Sequence, residues 1–215
     1  MPIFLQKKIE PDILLALWHI TETNAELKNL LSKDFFERDM HLKMDNAAAS
    51  HYLASRVLLN QQFKDVPVHL HKNKFNKPLL ELSGIPYHVS ITHSHHFAGI
   101  ILSKNLEVGM DLEKTDERIN RVAHKFMNEK EVSFAGKEDQ VVEKTIIWSA
   151  KETLYKIYGE KELDFKLHLH IKKFVLNTQG SIQTVIKKDD YIGHFNVYYK
   201  CFKEFILTYA VNYEE

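Results

Sequence analysis

The chain has 215 residues, of which 44% are hydrophobic and 11% aromatic, so it can bury a sizeable core and is not expected to be disordered. Lysine plus arginine and aspartate plus glutamate each total 29. This balance gives no net electrostatic field that would favour a nucleic acid or an anionic membrane as a partner. The length allows one large domain or two small ones.

Cysteine usage and the N-terminal residues indicate the cellular compartment in which the protein is expected. Cys201 is the only cysteine, so no internal disulfide can form, which fits a reducing compartment. The apolar run at the N-terminus is interrupted by charged residues within residues 1–8 and is therefore too short for a signal peptide. No apolar run approaches the roughly 18 residues of a membrane-spanning helix. We therefore expect a cytoplasmic protein.

The first half of the chain predicts two helices and a series of strands. In chain order these are a strand at residues 16–20, a polar helix at 23–31, a helix at 47–59, and short strands between 66 and 113. The turn residues Lys104 and Asn105 predict that residues 97–103 and 106–113 form a hairpin.

Helices resume after Asp116 and are followed by more strands. The strongest helical pattern covers residues 141–158, and Gly159 is well placed to end it in the left-handed conformation. The predicted strands are residues 166–176, 181–187, 191–202 and 205–213. This order favours two α+β halves, residues 1–113 and 114–215, over a doubly wound sheet.

The segment GMDLE at residues 109–113 places two carboxylates on one strand face. Because alternate residues of a strand share a face, Gly109, Asp111 and Glu113 point one way, with the two carboxylate residues roughly 7 Å apart at their Cα atoms. Two such carboxylates can converge on magnesium, which favours oxygen ligands. The same alternation also describes an ordinary half-buried strand with acidic residues facing water.

Two stripes run along the predicted helix at residues 141–158. The apolar stripe comprises Ile147, Ala150, Leu154 and Tyr158. The other, at spacing i, i+4, i+8, comprises Trp148, Glu152 and Lys156. Glu152 and Lys156 can act together, one taking a proton or a metal while the other balances a phosphate charge. Alternatively they are a surface pair that stabilises the helix.

A histidine-rich turn at residues 93–96 suits either of two ligands. Imidazoles at His93, His95 and His96 are possible ligands for zinc or nickel, although the spacing matches no standard zinc pattern. The hydroxyl of Thr92 and a protonated His93 suit a phosphate group equally well.

Taken together, these segments resemble the 4′-phosphopantetheinyl transferase superfamily, in its longer, surfactin-synthetase-activating type. The two main signatures of that family are G-[VI]-D-x-E, here GMDLE at 109–113, and [FW]-x-x-K-E-x-x-x-K, here WSAKETLYK at 148–156. Three weaker elements also match: NKP at 76–78 for G-K-P, SITHS at 90–94 for S-x-S-H-S, and FMNEKE at 126–131 for F-F-x-x-x-E. The resemblance covers roughly residues 40–170.

The resemblance implies a fold, a reaction and roles for individual residues. The fold is two similar α+β halves of mainly antiparallel sheet, related by a pseudo-twofold axis, with the active site in the cleft between them. Asp111, Glu113 and Glu152 would hold Mg²⁺. Glu152, or a water it orients, would take the proton of the acceptor serine, and Lys156 would stabilise the departing 3′,5′-ADP. The residues expected to contact coenzyme A are Lys43, Arg56, Lys77, Thr92, His93, Lys151 and Lys156.

By the same resemblance the protein is an enzyme that works as a monomer, a pseudo-dimer within one chain. It would transfer the phosphopantetheine arm of coenzyme A to a serine of an apo acyl or peptidyl carrier protein. This serine often has acidic residues beside it. The arginine-rich stretch that usually begins the helix before Arg56 reads DNAAA at residues 45–49. This departure keeps a second hypothesis open, a weak or inactive homologue that binds carrier proteins.

Overall fold

The computed structural model describes residues 3–31, 47–63, 66–160 and 162–213. It is an α+β structure with two antiparallel sheets, which confirms the fold class expected from the sequence. The chain divides into two compact units, Met1–Asn105 and Leu106–Glu215. None of the helices in the described ranges is long and apolar enough to cross a membrane.

The N-terminal unit is built on a six-stranded sheet with the strand order β1-β2-β6-β5-β4-β3. Its strands are β1 Ile3–Glu10, β2 Ile13–His19, β3 Val68–Lys72, β4 Pro78–Leu82, β5 Ile85–Ser94 and β6 Phe97–Ser103, and its helices are α1 Asn24–Asn29 and α2 Ala47–Gln62. Helix α2 buries Leu53, Val57 and Leu58 against Trp18 of β2 and Ile100 of β6. Helix α1 begins with a capping box between Thr23 and Glu26, as helix N-termini prefer.

The C-terminal unit is built on a five-stranded sheet with the strand order β7-β11-β10-β9-β8. Its strands are β7 Val108–Lys114, β8 Leu169–Ile171, β9 Gln179–Lys188, β10 Tyr191–Phe202 and β11 Phe205–Val211, and its helices are α3 Ile119–Phe126, α4 Glu129–Ala135 and α5 Val141–Tyr158. Helix α5 ends at Gly159, whose φ of 69° is left-handed, as predicted. Its apolar stripe packs against β10 and β11.

Three sequence predictions differ from the structure. Strand β7 does not return along residues 97–103 as a hairpin; it pairs with β11. It therefore belongs to the C-terminal unit, whereas the sequence prediction placed residues 106–113 in the N-terminal half. The strand predicted at residues 166–176 is reduced to β8, because the Asp164 carboxylate accepts the backbone N–H groups of Lys166 and Leu167, both at 2.8 Å. Such a side chain competes with strand pairing and favours a turn.

Candidate functional site

Strand β7 presents its two carboxylates on one face, as the alternation predicted, and this face lies against helix α5. Asp111 Oδ2 accepts a hydrogen bond from Ser149 Oγ at 2.9 Å. Glu113 Oε1 accepts one from Trp148 Nε1 at 2.8 Å. Asp111 is buried and Glu113 is partly buried, so these acidic residues are not the water-facing side of a half-exposed strand.

Gly109 is the point at which β7 and α5 come closest. A Cβ atom at this residue would overlap the carbonyl oxygen of Thr153 and would lie 2.6 Å from Ile157 Cγ1. Only glycine permits this approach without displacing the helix. The glycine of the GMDLE segment therefore makes room for the backbone of α5, which brings the helix against the acidic strand.

Gly109→Ala is expected to lower the free energy of unfolding by about 1–3 kcal/mol, the usual cost of overpacking a well-packed interior. Urea denaturation followed by circular dichroism measures this loss. Wild-type stability of the variant would show that α5 can move away from β7 at little cost, and that Gly109 does not set their separation.

Helix α5 brings Glu152 and Lys156 to the same place. Lys156 Nζ donates to Asp111 Oδ1 at 2.8 Å and to the Met110 carbonyl at 3.0 Å. Burial, the negative charge of Asp111 and that of Glu113 raise the pKa of Glu152 to about 7, against the opposing effect of Lys156. Burial and the Asp111 charge also raise the pKa of Glu113. Asp111, Glu113 and Glu152 thus form one electrostatic group, here called the carboxylate cluster.

The chemistry of the carboxylate cluster fits a divalent cation. In addition to burial, the charge of Asp111 raises the pKa of both Glu113 and Glu152, so the cluster is short of positive charge, and a bound cation would supply it. Within the described residues no group of three or more His, Cys, Asp or Glu side chains is arranged to hold a metal by itself. Magnesium does not require such a cage, since it is usually bound through one or two carboxylates together with water and substrate phosphates.

Lys151 is the predicted coenzyme A contact that the structure contradicts. Its side chain is fully buried, and its ammonium donates to Glu131 Oε2 at 2.7 Å and to the carbonyls of Phe126 and Phe165 at 2.6 and 2.8 Å. Burial lowers the pKa of Lys151, while the charge of Glu131 opposes that shift. An ammonium enclosed by three protein oxygens has no remaining proton with which to bind a phosphate.

Glu131, the last residue of FMNEKE, is the partner that organises this buried region. Its Oε2 accepts from Lys151 and from the Asn128 backbone N–H, completing a capping box at the start of α4. Its Oε1 accepts from the Ile171 backbone N–H at 2.9 Å. The carboxylate therefore ties α4, α5 and β8 together, which is a structural role.

A basic pocket of about 570 Å³ lies within the N-terminal unit. Its polar lining residues are His51, Tyr52, Ser55 and Arg56 of α2, His71 and Lys72 of β3, Asn76, and His93 of β5. No aspartate or glutamate belongs to the described part of this lining. Imidazole, guanidinium and ammonium groups around one cavity suit an anionic ligand.

Several side chains of this pocket are held in place by ring contacts. The rings of His51 and His93 stack with centroids 4.5 Å apart, and His51 Nε2 lies 2.6 Å from the His95 carbonyl. Because a carbonyl oxygen can only accept, this nitrogen carries the proton. The guanidinium of Arg56 lies 3.6 Å from the ring centroid of Tyr52, a cation–π contact.

The predicted coenzyme A contacts of the N-terminal unit divide into four cases. Arg56 and His93 line the pocket. Lys77 follows Asn76, which adopts the left-handed φ of 68° expected of a glycine substitute. Thr92 is buried and, by strand alternation, faces away from the side on which His93 lines the pocket. Lys43 lies outside the described residues.

The histidine turn does not assemble the transition-metal site left open by the sequence. His95 has a φ of 51° in the turn between β5 and β6, so it has left the strand face it would share with His93. Because a structural zinc site draws its ligands from the protein itself, the lack of a three-ligand group across the described residues argues against this alternative.

Sequence reasoning missed two sets of residues. Ser149 and Thr208 surround Asp111, and small hydroxyl side chains in a helix and a strand give no signal by themselves. His51 and Tyr52 also lie in the pocket. The only sequence signal was the position of Tyr52 four residues before Arg56, since residues three or four apart share a helix face; His51, five residues before Arg56, gave no such signal.

Residues 107–210 match the sequence model of the 4′-phosphopantetheinyl transferase superfamily. The match includes β7, α5 and β11, and with them the whole carboxylate cluster. No curated protein matches the chain. The expected resemblance is therefore confirmed at the level of the superfamily for the C-terminal unit.

Proposed function

We propose that the protein transfers the 4′-phosphopantetheine arm of coenzyme A to a serine of an apo acyl or peptidyl carrier protein, in a magnesium-dependent reaction that releases 3′,5′-ADP. The observation that carries this proposal is the carboxylate cluster beside Lys156, inside the segment that matches the transferase superfamily. We further propose the longer, surfactin-synthetase-activating type and a cytoplasmic monomer.

In the proposed reaction the serine hydroxyl forms a bond to the β-phosphorus of coenzyme A, and the bond from that phosphorus to the bridging oxygen breaks. Glu152, whose pKa of about 7 suits it to proton transfer near neutrality, takes the serine proton directly or through a water. Lys156 stabilises the negative charge of the departing 3′,5′-ADP. Asp111, Glu113 and Glu152 would hold Mg²⁺ only together with water and the phosphates of coenzyme A, and the ion would neutralise phosphate charge.

The basic pocket of the N-terminal unit is proposed to bind the phosphates of coenzyme A. Its cations at Arg56 and Lys72, together with the hydrogen-bonding imidazoles of His51 and His93, would offset the missing arginines at residues 45–49. A nucleotide carrying several negative charges is the kind of ligand that such a lining recognises.

A basic surface with two exposed apolar side chains is proposed to bind the carrier protein. It consists of Arg121, Val122 and Lys125 of α3 with Lys166 and Leu167, all exposed, and is here called the α3 surface. Lys166 Nζ donates to the His124 carbonyl at 3.3 Å, which joins the two segments. Acidic residues beside the acceptor serine of a carrier protein would complement this charge.

The α3 surface is close to the carboxylate cluster. The Trp148 ring, which donates to Glu113, packs 5.1 Å from Phe126 at the end of α3 and 5.3 Å from Phe165, measured between ring centroids. A carrier protein bound here would therefore bring its serine near the proposed site of chemistry.

Reversing both charges of α3 with Arg121→Glu and Lys125→Glu is expected to raise the KM for the carrier protein about tenfold, since charges across an interface govern encounter and partner choice. The affinity for coenzyme A should not change. Lys187→Glu with Lys200→Glu, two exposed strand lysines, is the matched control. An equal effect of both double variants would exclude the α3 surface as the docking site.

The decisive experiment is the intact mass of an apo carrier protein after incubation with this protein, coenzyme A and Mg²⁺. A gain equal to the phosphopantetheine arm establishes the reaction. No gain with fatty-acid and peptidyl carriers, while a known transferase succeeds in parallel, overturns it in favour of the inactive homologue. Calorimetric titration with coenzyme A then tests whether ligand binding has been lost as well.

A further inference from the structure

A chain of buried hydroxyl groups leads to Asp111 from the side opposite its salt bridge. Ser149 Oγ lies 2.9 Å from Asp111 Oδ2 and 2.8 Å from Thr208 Oγ1, and Thr208 Oγ1 lies 2.7 Å from Thr153 Oγ1. All three hydroxyl residues are fully buried. Thr208 is also the residue directly opposite Asp111 in the pairing of β11 with β7.

The direction of the hydrogen bond to Asp111 can be assigned by counting protons. The Asp111 carboxylate, paired with Lys156, only accepts, so Ser149 donates its single proton to it. Thr208 Oγ1 donates to the Ser149 carbonyl at 3.0 Å, so its single proton either points at that carbonyl or is shared between the carbonyl and Ser149 Oγ. Thr208 in turn accepts from Thr153. Thr208 therefore holds Ser149 through both its carbonyl and its hydroxyl, and Ser149 is the residue that donates to Asp111.

Packing alone does not explain three hydroxyls at this place. Valine would fill the volume of Thr208 without the cost of burying a polar group. What the hydroxyls add is a donor on Asp111 Oδ2, while Lys156 occupies Oδ1. With one fixed donor on each oxygen, the plane of the carboxylate cannot rotate without losing a hydrogen bond.

We propose that Thr208 and Ser149 are positioning residues that hold Asp111 in the orientation in which it binds the divalent cation. This inference rests on the proposed function, because it takes Asp111 as a ligand. Groups that orient a metal ligand in this way typically contribute about 10-fold to 100-fold to metal affinity or activity.

The test measures the dissociation constant of Mn²⁺ for the full chain in the presence of coenzyme A, with electron paramagnetic resonance as the detection method. Thr208→Val removes the hydroxyl and keeps the shape, and it is expected to raise the Mn²⁺ dissociation constant about 10-fold or more. Thr208→Ser keeps the hydroxyl and is expected to restore near wild-type affinity. Ser149→Ala is a second, independent interruption of the chain should Thr208→Val fold poorly.

Thr184→Val is the matched control. Thr184 is also a buried strand threonine, and its hydroxyl donates to the Phe195 carbonyl. It should leave the Mn²⁺ affinity unchanged. Wild-type affinity in folded Ser149→Ala and Thr208→Val, or equal losses in Thr208→Ser and Thr208→Val, would overturn the inference while leaving the proposed function intact. A wild-type protein that binds no Mn²⁺ would instead overturn the metal assignment and the inference with it.

Discussion

Lys151→Met is expected to lower the free energy of unfolding by about 3–5 kcal/mol, the usual result of removing one partner of a buried ion pair. The reason is that Glu131 would be left charged and buried, and the carbonyls of Phe126 and Phe165 would lose their donor. Urea denaturation measures the change. Lys130→Met, an exposed neighbour of Glu131, should shift stability by no more than about 0.5 kcal/mol.

The double variant Lys151→Met with Glu131→Gln distinguishes the contribution of the unpaired charge to the destabilisation from the contribution of altered packing. If the destabilisation comes from an unpaired charge, neutralising Glu131 should recover part of it. A Lys151→Met protein of normal stability that binds coenzyme A poorly would contradict the structural role and would restore the contact that the sequence predicted.

Asp111→Asn is expected to reduce the rate of carrier modification at least about 100-fold, the scale on which losing one transition-state charge interaction acts. Asparagine keeps the shape of the side chain but removes the charge that Lys156 and the proposed cation require. The rate of mass gain of the carrier protein is the measurement. Because Asp111 is buried and accepts hydrogen bonds from Ser149 and Lys156, the isosteric change is preferable to alanine.

Asp116→Asn is the matched control for this experiment. Asp116 is also an aspartate of the C-terminal unit, but its carboxylate is exposed and paired with Arg118. Its variant should retain wild-type transfer. Residual activity of Asp111→Asn close to wild type, with Mg²⁺ still required, would show that the cation is held without Asp111.

The parts of the fold predicted correctly depend on local information. Helix α5 was predicted within its observed bounds because its apolar stripe repeats every three to four residues and Gly159 supplies a left-handed end. The common face of Asp111 and Glu113 followed from strand alternation alone. Neither feature needs knowledge of what lies next to it in space.

The parts predicted wrongly depend on partners distant in sequence. The turn at residues 104–105 suggested a local hairpin, and nothing in residues 106–113 reveals that the actual partner is β11. Lys151 and Lys156 lie five residues apart in the WSAKETLYK pattern and therefore on different faces of α5. The periodicity places Lys156 with Glu152, but it does not reveal that the carbonyls of Phe126 and Phe165 enclose Lys151.

The pairing of β7 with β11 also has a consequence for the order in which the C-terminal unit can fold. The strand that carries Asp111 is the first strand of this unit, and its neighbour is the last. Closing the loop between β7 and β11 has an entropic cost, and the hydrogen bonds between the two strands offset it only after they have formed. During synthesis Asp111 therefore cannot pair with Thr208 until β11 has been made. A nascent chain on a ribosome stalled before residue 205 should lack transferase activity.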